Sequence, residues 1–270
     1  MIELLLRPSA CGHISAAHSS AIVPRQPTTP QLYLKALNEM NDQTKAEFDA
    51  YSSTYDAAVN DAIAFSGLKV DYFTRVKADY LTDLITDHFG DALPSILDVG
   101  CGVGNFHPLL SDRVGSIAGV DVSKASIDQA RERNPGVCYK SYSGERLPFD
   151  DKTFDVVFTV CVMHHVPPAQ WPLFAAEMKR VLKPGGMVAV FEHNPRNPLT
   201  QRIVSNCVFD KNAVLLRSEK TRSLIQQAGF TDLIERFILS IPPSGRFLRS
   251  VDLLLGRLPF GAQYFIKATA

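Results

Sequence analysis

The chain has 270 residues, of which 46% are apolar, with 28 basic and 28 acidic side chains. This composition suffices for a full hydrophobic core, and the balanced charge argues against nucleic acid or an acidic membrane as a partner. The five cysteines include no Cys-x-x-Cys pair, which argues against a zinc knuckle and predicts free thiols in a reducing compartment, the cytoplasm. No apolar run approaches the roughly 20 residues that a membrane-spanning helix needs.

The N-terminal third of the chain changes character twice. Residues 1–40 are rich in Ser, Ala, Pro and His, contain almost no acid and show no periodicity, which predicts a disordered tail. From Lys45 onwards apolar residues recur at steps of three and four, as at Tyr51 and Tyr55, and a second such stripe follows Gly67. Residues 41–93 are therefore predicted to form two amphipathic helices that act as a lid.

A core of alternating strands and helices follows over residues 94–241. Short apolar runs such as "SILDVG", "IAGVDV", "DVVFTVCV" and "MVAVF" are typical of parallel strands that are buried on both faces. Helical stretches such as "SKASIDQARERN" and "WPLFAAEMKRVLKPGG" separate them, which predicts an α/β fold with a parallel sheet. Two more strands are predicted near the end, in "FTDLIERFILS" and "AQYFIKATA".

The stretch "ILDVGCGVGNF" places three glycines directly after the first predicted strand. Ligands of open α/β sheets bind beyond the carboxyl ends of the strands, and glycine lets the backbone approach a ligand closely. A dinucleotide fingerprint would need a third glycine at position 105, where this chain has Asn105, so the motif argues against NAD. Asp98 suits a ligand with an ammonium or sulfonium group; alternatively, it bonds the amides of the loop.

Asp121 ends the second predicted strand, in "GVDVS". An acid at that place can accept hydrogen bonds from both hydroxyls of a ribose. Together with the glycine loop, with "SGERLPFDDKTFDVVF", with "CVMHHV" and with "EMKRVLKPGG", it makes the chain resemble the class I S-adenosylmethionine-dependent methyltransferases. The resemblance covers residues 45–270 and is closest to the small-molecule group that includes quinone-biosynthesis enzymes (methyltransferase type 11-like).

This resemblance implies a Rossmann-like, doubly wound sheet of seven strands with an antiparallel last strand, and S-adenosyl-L-methionine as the cofactor. It implies the following cofactor-binding residues: Asp98, Gly100, Gly102, Gly104, Asp121, Val122, Gly144, Glu145 and Cys161. Many relatives have an aspartate for the adenine amino group where this chain has Ser143, so the resemblance implies only a weaker replacement contact at this position. Cys161 has a second interpretation as a small apolar wall of the pocket.

Catalytic candidates should follow the fourth and fifth strands, where "CVMHHV" and "FEHNPRNPL" are found. His193 can act as a general base because an imidazole titrates near neutral pH; alternatively, it only caps the rigid turn that follows. Glu192 is expected at the mouth of the cofactor site, and His164 is expected to face the pocket while His165 makes a structural bond. No carboxylate cluster has convincing metal spacing, so no metal is predicted.

The predicted function is methylation of a small, apolar or aromatic molecule at an oxygen, carbon or nitrogen atom. The chain lacks the Asn/Asp-Pro-Pro-aromatic loop of nucleic-acid amino-methyltransferases, and no nucleic acid or stable membrane anchoring is expected. An alternative is a protein that binds the cofactor without methyl transfer, such as a cyclase or a regulatory subunit, because fold does not imply chemistry.

Residues 242–262, between the last two strands, contain a further amphipathic helix. Its apolar side chains fall at helical steps, at Phe247, Leu248, Val251, Leu254, Leu255 and Leu258. This stripe is predicted to roof the acceptor site together with the helix of Tyr51 and Tyr55. A subunit interface, a membrane surface and ordinary core packing are the alternatives.

Overall fold

The computed structural model describes residues 49, 60–61, 69–207, 210 and 212–270. The tail predicted for residues 1–40 and the helix predicted around Tyr51 and Tyr55 lie outside these residues, so both stay predictions. The second predicted lid helix lies within them and is present as α1, Val70–Phe89.

One mixed sheet runs through the described part of the chain. Its strands are β1 Ser95–Val99, β2 Ser116–Asp121, β3 Cys138–Ser141, β4 Phe154–Val160, β5 Leu182–His193, β6 Thr231–Ile238 and β7 Gln263–Thr269. They lie in the order β3-β2-β1-β4-β5-β7-β6, and β7 pairs antiparallel with both β5 and β6. The predicted doubly wound, seven-stranded sheet with an antiparallel last strand is confirmed. Strand β3 is short and was not predicted from its own sequence.

The helices after α1 cover the two faces of the sheet or flank its edge. They are α2 His107–Leu110, α3 Lys124–Arg133, α4 Trp171–Val181, α5 Pro198–Asn206, α6 Ser218–Gln227 and α7 Gly245–Leu255. Asn197 caps α5 because its side chain accepts hydrogen bonds from the Leu199 and Thr200 amides, and Pro198 occupies the first turn. None of the described helices is long and apolar enough to cross a bilayer.

Alternate residues of the central strands point to opposite faces, and each face has its own core. Val157 and Val188 pack on one face in a cluster that includes Trp171 and Met178 of α4. Phe158 and Phe191 pack on the other face in a cluster that includes Leu81 of α1. Because both faces are covered, the inner strands read as continuous apolar runs, and their polar residues gather at the strand ends.

Helix α7 packs against α1 through charged side chains. Arg249 is buried, and its guanidinium donates to Asp79 at 2.8 Å and to Asp83 at 3.0 Å. The apolar residues of the stripe lie on the other side, where Phe247 is 79% exposed and Leu254 is 69% exposed. The periodicity predicted the helix, but the structure turns its polar face inward and its apolar face outward.

Asp252 of α7 is fully buried and joins three parts of the fold. Its carboxylate accepts a hydrogen bond from the Tyr80 hydroxyl of α1 at 2.6 Å. It also accepts from three successive backbone amides after β6: Leu239 at 2.7 Å, Ser240 at 2.8 Å and Ile241 at 3.2 Å. The carboxylate therefore satisfies amide groups that would otherwise be buried without a partner.

Replacement of Asp252 by alanine should lower the free energy of unfolding by about 3 to 5 kcal/mol, because it leaves four buried donors unpaired. Urea titration followed by circular dichroism measures this loss. Asp91, an exposed acid, provides the control, and its alanine variant should stay within about 0.5 kcal/mol of the parent. Equal stability of the two variants would contradict the role assigned to Asp252.

Candidate active site

The loop after β1 holds its three glycines in the left-handed region of backbone space. Their φ angles are +80° at Gly100, +51° at Gly102 and +78° at Gly104, which L side chains rarely adopt. A Cβ atom added to Gly100 would lie 2.4 Å from the Val162 side chain, so the two loops touch through this glycine. A Cβ atom on Gly102 would meet nothing within 4 Å. The loop is therefore tightly packed on one side and open on the other.

Asp121 lies beside this loop at the end of β2. One of its carboxylate oxygens accepts from the Gly102 amide at 2.9 Å, and the other accepts from the Ser123 amide at 2.8 Å. Burial raises the pKa of Asp121 to about 6, against the opposing effect of these hydrogen bonds. The Val122 amide is a third donor to this carboxylate, whose two oxygens offer about four lone pairs and so retain capacity for a further donor.

Asp98 is buried beneath the same loop, at the end of β1. Its carboxylate lies 3.1 Å from Nε2 of His107, and the other ring nitrogen of His107 is hydrogen-bonded to the Tyr139 hydroxyl. Burial raises the pKa of Asp98, although His107 opposes the shift. The described partner of Asp98 is thus the His107 ring and not a loop amide, because the Gly100 and Cys101 amides donate to the Val120 carbonyl instead.

The remaining predicted cofactor residues follow β2, β3 and β4. Val122 directly follows Asp121, and the Tyr142 amide donates to the Asp121 carbonyl at 3.2 Å, which brings the segment with Gly144 and Glu145 to the end of β2. Glu145 is exposed, and Gly144 has a φ of +88°. The structure thus brings the predicted cofactor residues to one edge of the sheet.

A cavity opens from the glycine loop toward the ends of β4 and β5. Its polar lining consists of Thr74, Lys77, Asp98, Asn105, Thr200, the histidines 164, 165 and 193, Asp210 and Gln263. Its apolar lining includes Phe73, Phe106, Val160, Ile203 and Leu239, with Gly100, Cys101 and Cys161 between the two groups. Leu239 and Ala262 flank the segment of α7, but no described residue of α7 itself lines the cavity. The predicted roof over the cavity is therefore not made by the apolar stripe of α7.

Glu192 is fully buried at the end of β5 and lies behind the cavity wall, not at the mouth where it was expected. One carboxylate oxygen accepts from the Val162 amide at 3.1 Å and from the Met163 amide at 2.7 Å. The other lies 2.6 Å from Nδ1 of His164. Burial raises the pKa of Glu192, but His164 outweighs it and holds that pKa below its ordinary value.

His164 and His165 project from the loop after β4 toward Asp210. Nε2 of His164 lies 3.5 Å from Oδ1 of Asp210, and Nε2 of His165 lies 3.4 Å from the same atom. Burial lowers the pKa of His164, but Glu192 and Asp210 outweigh it and hold that pKa well above the ordinary value. Burial and the neighbouring His164 lower the pKa of His165 to about 3.

His193 faces the cavity, and its ring centroid lies 5.2 Å from that of His164. Burial, followed by the positive field of His164, lowers the pKa of His193 to about 4, so the ring is neutral at neutral pH. The turn is capped by Asn194, whose side-chain oxygen accepts from the Arg196 amide at 3.0 Å, while its side-chain nitrogen donates to the Pro259 and Gly261 carbonyls. The Gln263 side-chain nitrogen lies 3.3 Å from Nδ1 of His193, so a ligand in the cavity would meet this ring at Nε2.

Cys161 lines the cavity at the first position after β4, with a positive φ of 57°. Burial raises the pKa of its thiol, which therefore stays neutral and acts as a small wall. Lys77 of α1 is also buried, and its Nζ lies 3.8 Å from the Cys161 sulfur. The lysine thus brings an ammonium group to the same wall of the cavity.

Four cavity or support residues were missed by sequence reasoning: Lys77, His107, Asp210 and Gln263. Lys77 carried a signal, because it is a cation next to the apolar stripe of α1. His107 lies nine residues after Asp98, but nothing in its surroundings marked it as a partner. Asp210 and Gln263 lie far along the chain from the motifs after β1 and β4, and only the folded structure brings them to the cavity.

The family model and the relatives that the chain resembles are all methyltransferases. Residues 97–190 match a family model described as a methyltransferase domain. The chain is 33% identical over 142 residues to an uncharacterized methyltransferase of Synechocystis, covering 50% of this chain and 66% of that protein. It is 34% identical over 114 residues to a 2-methyl-6-phytyl-1,4-hydroquinone methyltransferase of Synechocystis, covering 40% and 35%.

Among solved structures, a SAM-dependent methyltransferase of Thermotoga maritima, described as a possible histamine N-methyltransferase, superposes with a TM-score of 0.59 at 21% identity. The match covers 84% of this chain and 99% of that one, which shows a shared fold. The chain spans less than two thirds of the length of the curated relatives it matches, with 66% of one and 35% of the other.

Replacement of Glu192 by glutamine should lower the free energy of unfolding by about 3 kcal/mol, because a neutral amide cannot serve both the two loop amides and the charged His164 ring. Thermal and urea unfolding measure this change. Glu132 is exposed, and its glutamine variant provides the matched control. A Glu192 variant as stable as that control would mean that the carboxylate does not hold the loop.

Proposed function

Because the chain belongs to the class I S-adenosylmethionine-dependent methyltransferase family, we propose that it transfers a methyl group from S-adenosylmethionine to a small acceptor molecule. The observation that carries this proposal is the continuity of the cavity. It begins at the predicted cofactor loop, at Asp98 and Gly100, and ends among three histidines. A cofactor and an acceptor can therefore meet in one enclosed space.

The residues of the loop fit the cofactor. Gly102 leaves open space where any side chain would project, so a ligand can lie against the backbone there. Asp121 keeps acceptor capacity for ribose hydroxyls, and Asp98 supplies negative charge at the end of the cavity, where a cationic amino acid group is favoured. The bound cofactor would supply an electrophilic methyl group on a sulfonium sulfur.

The chain itself must then orient the acceptor and take up its proton. His193 is the candidate base, because it faces the cavity and its lowered pKa keeps the imidazole neutral and able to accept a proton. Glu192 and His164 act as positioning residues in this proposal: the carboxylate fixes the loop, and the loop carries the ring. Cys161 and Gly100 form the wall between the two ligands.

The lining supports an acceptor that is mainly apolar and carries a hydroxyl group. Phe73, Phe106 and Ile203 provide an apolar surface, while Lys77 and His193 provide polar contacts for an oxygen atom. A relative named for a hydroquinone substrate, with a ring and hydroxyl groups, agrees with this division. We therefore propose a phenolic or other hydroxylated apolar molecule, methylated on oxygen or on an adjacent carbon.

The test incubates the full chain with S-adenosylmethionine and a panel of prenylated hydroquinones and phenols, and follows S-adenosylhomocysteine and methylated product by mass spectrometry. His193→Ala should reduce turnover about a hundredfold, as expected for loss of a general base, while cofactor affinity stays within about twofold. Normal turnover of this variant would leave orientation alone as the mechanism. Tight cofactor binding without product from any acceptor would favour the cyclase or regulatory alternative.

Asp121→Ala should weaken binding of S-adenosylhomocysteine by about tenfold to a hundredfold, because hydrogen bonds to a charged group are worth about 1.5 to 3 kcal/mol. Calorimetry measures this, with Asp128→Ala as an exposed control in α3. Protonation removes acceptor capacity, so affinity of the parent protein should also fall as the pH drops below about 6, the raised pKa of Asp121. A folded Asp121 variant with unchanged affinity, or a flat pH profile in the parent, would refute the assignment.

A further inference from the structure

Three side chains on the acceptor side of the cavity are arranged as metal ligands. We propose that His164, His165 and Asp210 bind one divalent transition-metal ion, which in turn binds the oxygen atom of the methyl acceptor. The first half of this statement concerns binding alone, and the second half rests on the proposed function. No metal was predicted from the sequence, because Asp210 is far from the two histidines along the chain.

The distances between the histidine nitrogens and the Asp210 oxygen fit ligands of one shared ion better than they fit hydrogen bonds. The two Nε2 atoms lie 3.5 Å and 3.4 Å from Oδ1 of Asp210, and all three donor atoms lie within 4.8 Å of one another. Hydrogen bonds between nitrogen and oxygen are shorter, with a mode near about 2.9 Å. Donor atoms that surround an ion tetrahedrally at about 2.1 Å are about 3.4 Å apart, which matches the two nitrogen–oxygen distances.

A second carboxylate supports one of the ligands from behind. Oε2 of Glu192 lies 2.6 Å from Nδ1 of His164, so the other nitrogen of the same ring points toward Asp210. Metal-binding histidines commonly donate their second N–H group to a carboxylate, which fixes the tautomer and the ring orientation. The Glu192 carboxylate, the His164 imidazole, the proposed ion position and the Asp210 carboxylate therefore follow one another as expected at a metal centre.

The loop that carries both histidines is held on several sides, so its donors are preorganised. The His165 amide donates to the Val162 carbonyl, and the Val214 amide donates to the His164 carbonyl at 2.8 Å. The Trp171 indole donates to the Met163 carbonyl at 2.9 Å. A ligand set on such a loop loses little conformational freedom when it binds an ion.

The donor types indicate the class of ion. Two imidazole nitrogens and one carboxylate suit zinc, iron(II) or cobalt(II), whereas magnesium and calcium prefer oxygen donors only. Three protein ligands leave at least one coordination position, and all three ligands line the cavity in which the acceptor is proposed to bind. A hydroxyl or phenolic oxygen would complete the coordination at the histidine end of the cavity.

The competing explanation is a metal-free network in which a protonated His164 bridges Glu192 and Asp210. Titration with the ions themselves separates the two. The full chain, stripped with a chelator, should bind one equivalent of cobalt(II) with the visible absorption of a tetrahedral or five-coordinate site, and zinc should displace it. Absence of stoichiometric binding of either ion would establish the metal-free network and overturn the proposal.

Variants locate the site. His165→Ala and Asp210→Ala should each weaken cobalt binding by more than about a hundredfold. Loss of a carboxylate that only supports a ligand costs about 10-fold to 100-fold in metal affinity, and loss of a ligand itself should cost more. Glu192→Gln should fall in that smaller range. His193→Gln is the matched control: this histidine lines the same cavity but is not a proposed ligand, so its variant should bind cobalt like the parent. Circular dichroism checks the fold of every variant.

Two outcomes would overturn the site as drawn. Cobalt binding that survives in both ligand variants, or that is lost in the His193 variant, would place the ion elsewhere. Binding of S-adenosylhomocysteine is measured in parallel with the chelated protein. Retained cofactor binding and turnover without metal would refute the proposed role of the ion in holding the acceptor, while leaving the proposed methyl transfer intact.

Discussion

The buried carboxylate of Glu192 is the contact on which the geometry of the histidine side of the cavity depends. It stands at the end of β5 and binds the Val162 and Met163 amides and the His164 ring, all of which follow β4. A charge at this depth is stable only with such complete pairing, so strand end, loop and ring form one unit. The neighbouring Gly100 touches Val162, and the cofactor loop is packed against that unit as well.

The two halves of the cavity come from different parts of the sheet. The end of β1 and the loop after it supply Asp98, Gly100 and Cys101, while the ends of β4 and β5 supply the histidines. Because β7 runs antiparallel, its first residue lies at the same edge as the last residues of β5, and Gln263 pairs with His193. Parallel strands bring only their carboxyl ends to this edge of the sheet. The antiparallel direction of β7 brings the start of a strand there as well, and with it the Gln263 amide side chain.

Helix α7 shows that amphipathic periodicity does not decide which face is buried. Its inner face carries Arg249 and Asp252, which pair with acids of α1 and with free amides after β6. Those amides are left without strand partners where β6 ends, and one carboxylate satisfies three of them. The need to pair buried polar groups therefore outweighed the burial of Phe247 and Leu254, which stay exposed.

The sequence by itself determined the fold class, the order of most strands and helices, and the position of the glycine loop, because these follow from local periodicity and from motifs within a few residues. It also placed His164 and His193 at strand ends. Only the tertiary structure decided that Glu192 lies behind the cavity wall, that Asp98 meets His107, and that Asp210 approaches both histidines of the loop. Such contacts join residues distant in the chain, and their distances depend on how the strands and loops pack, which periodicity does not encode.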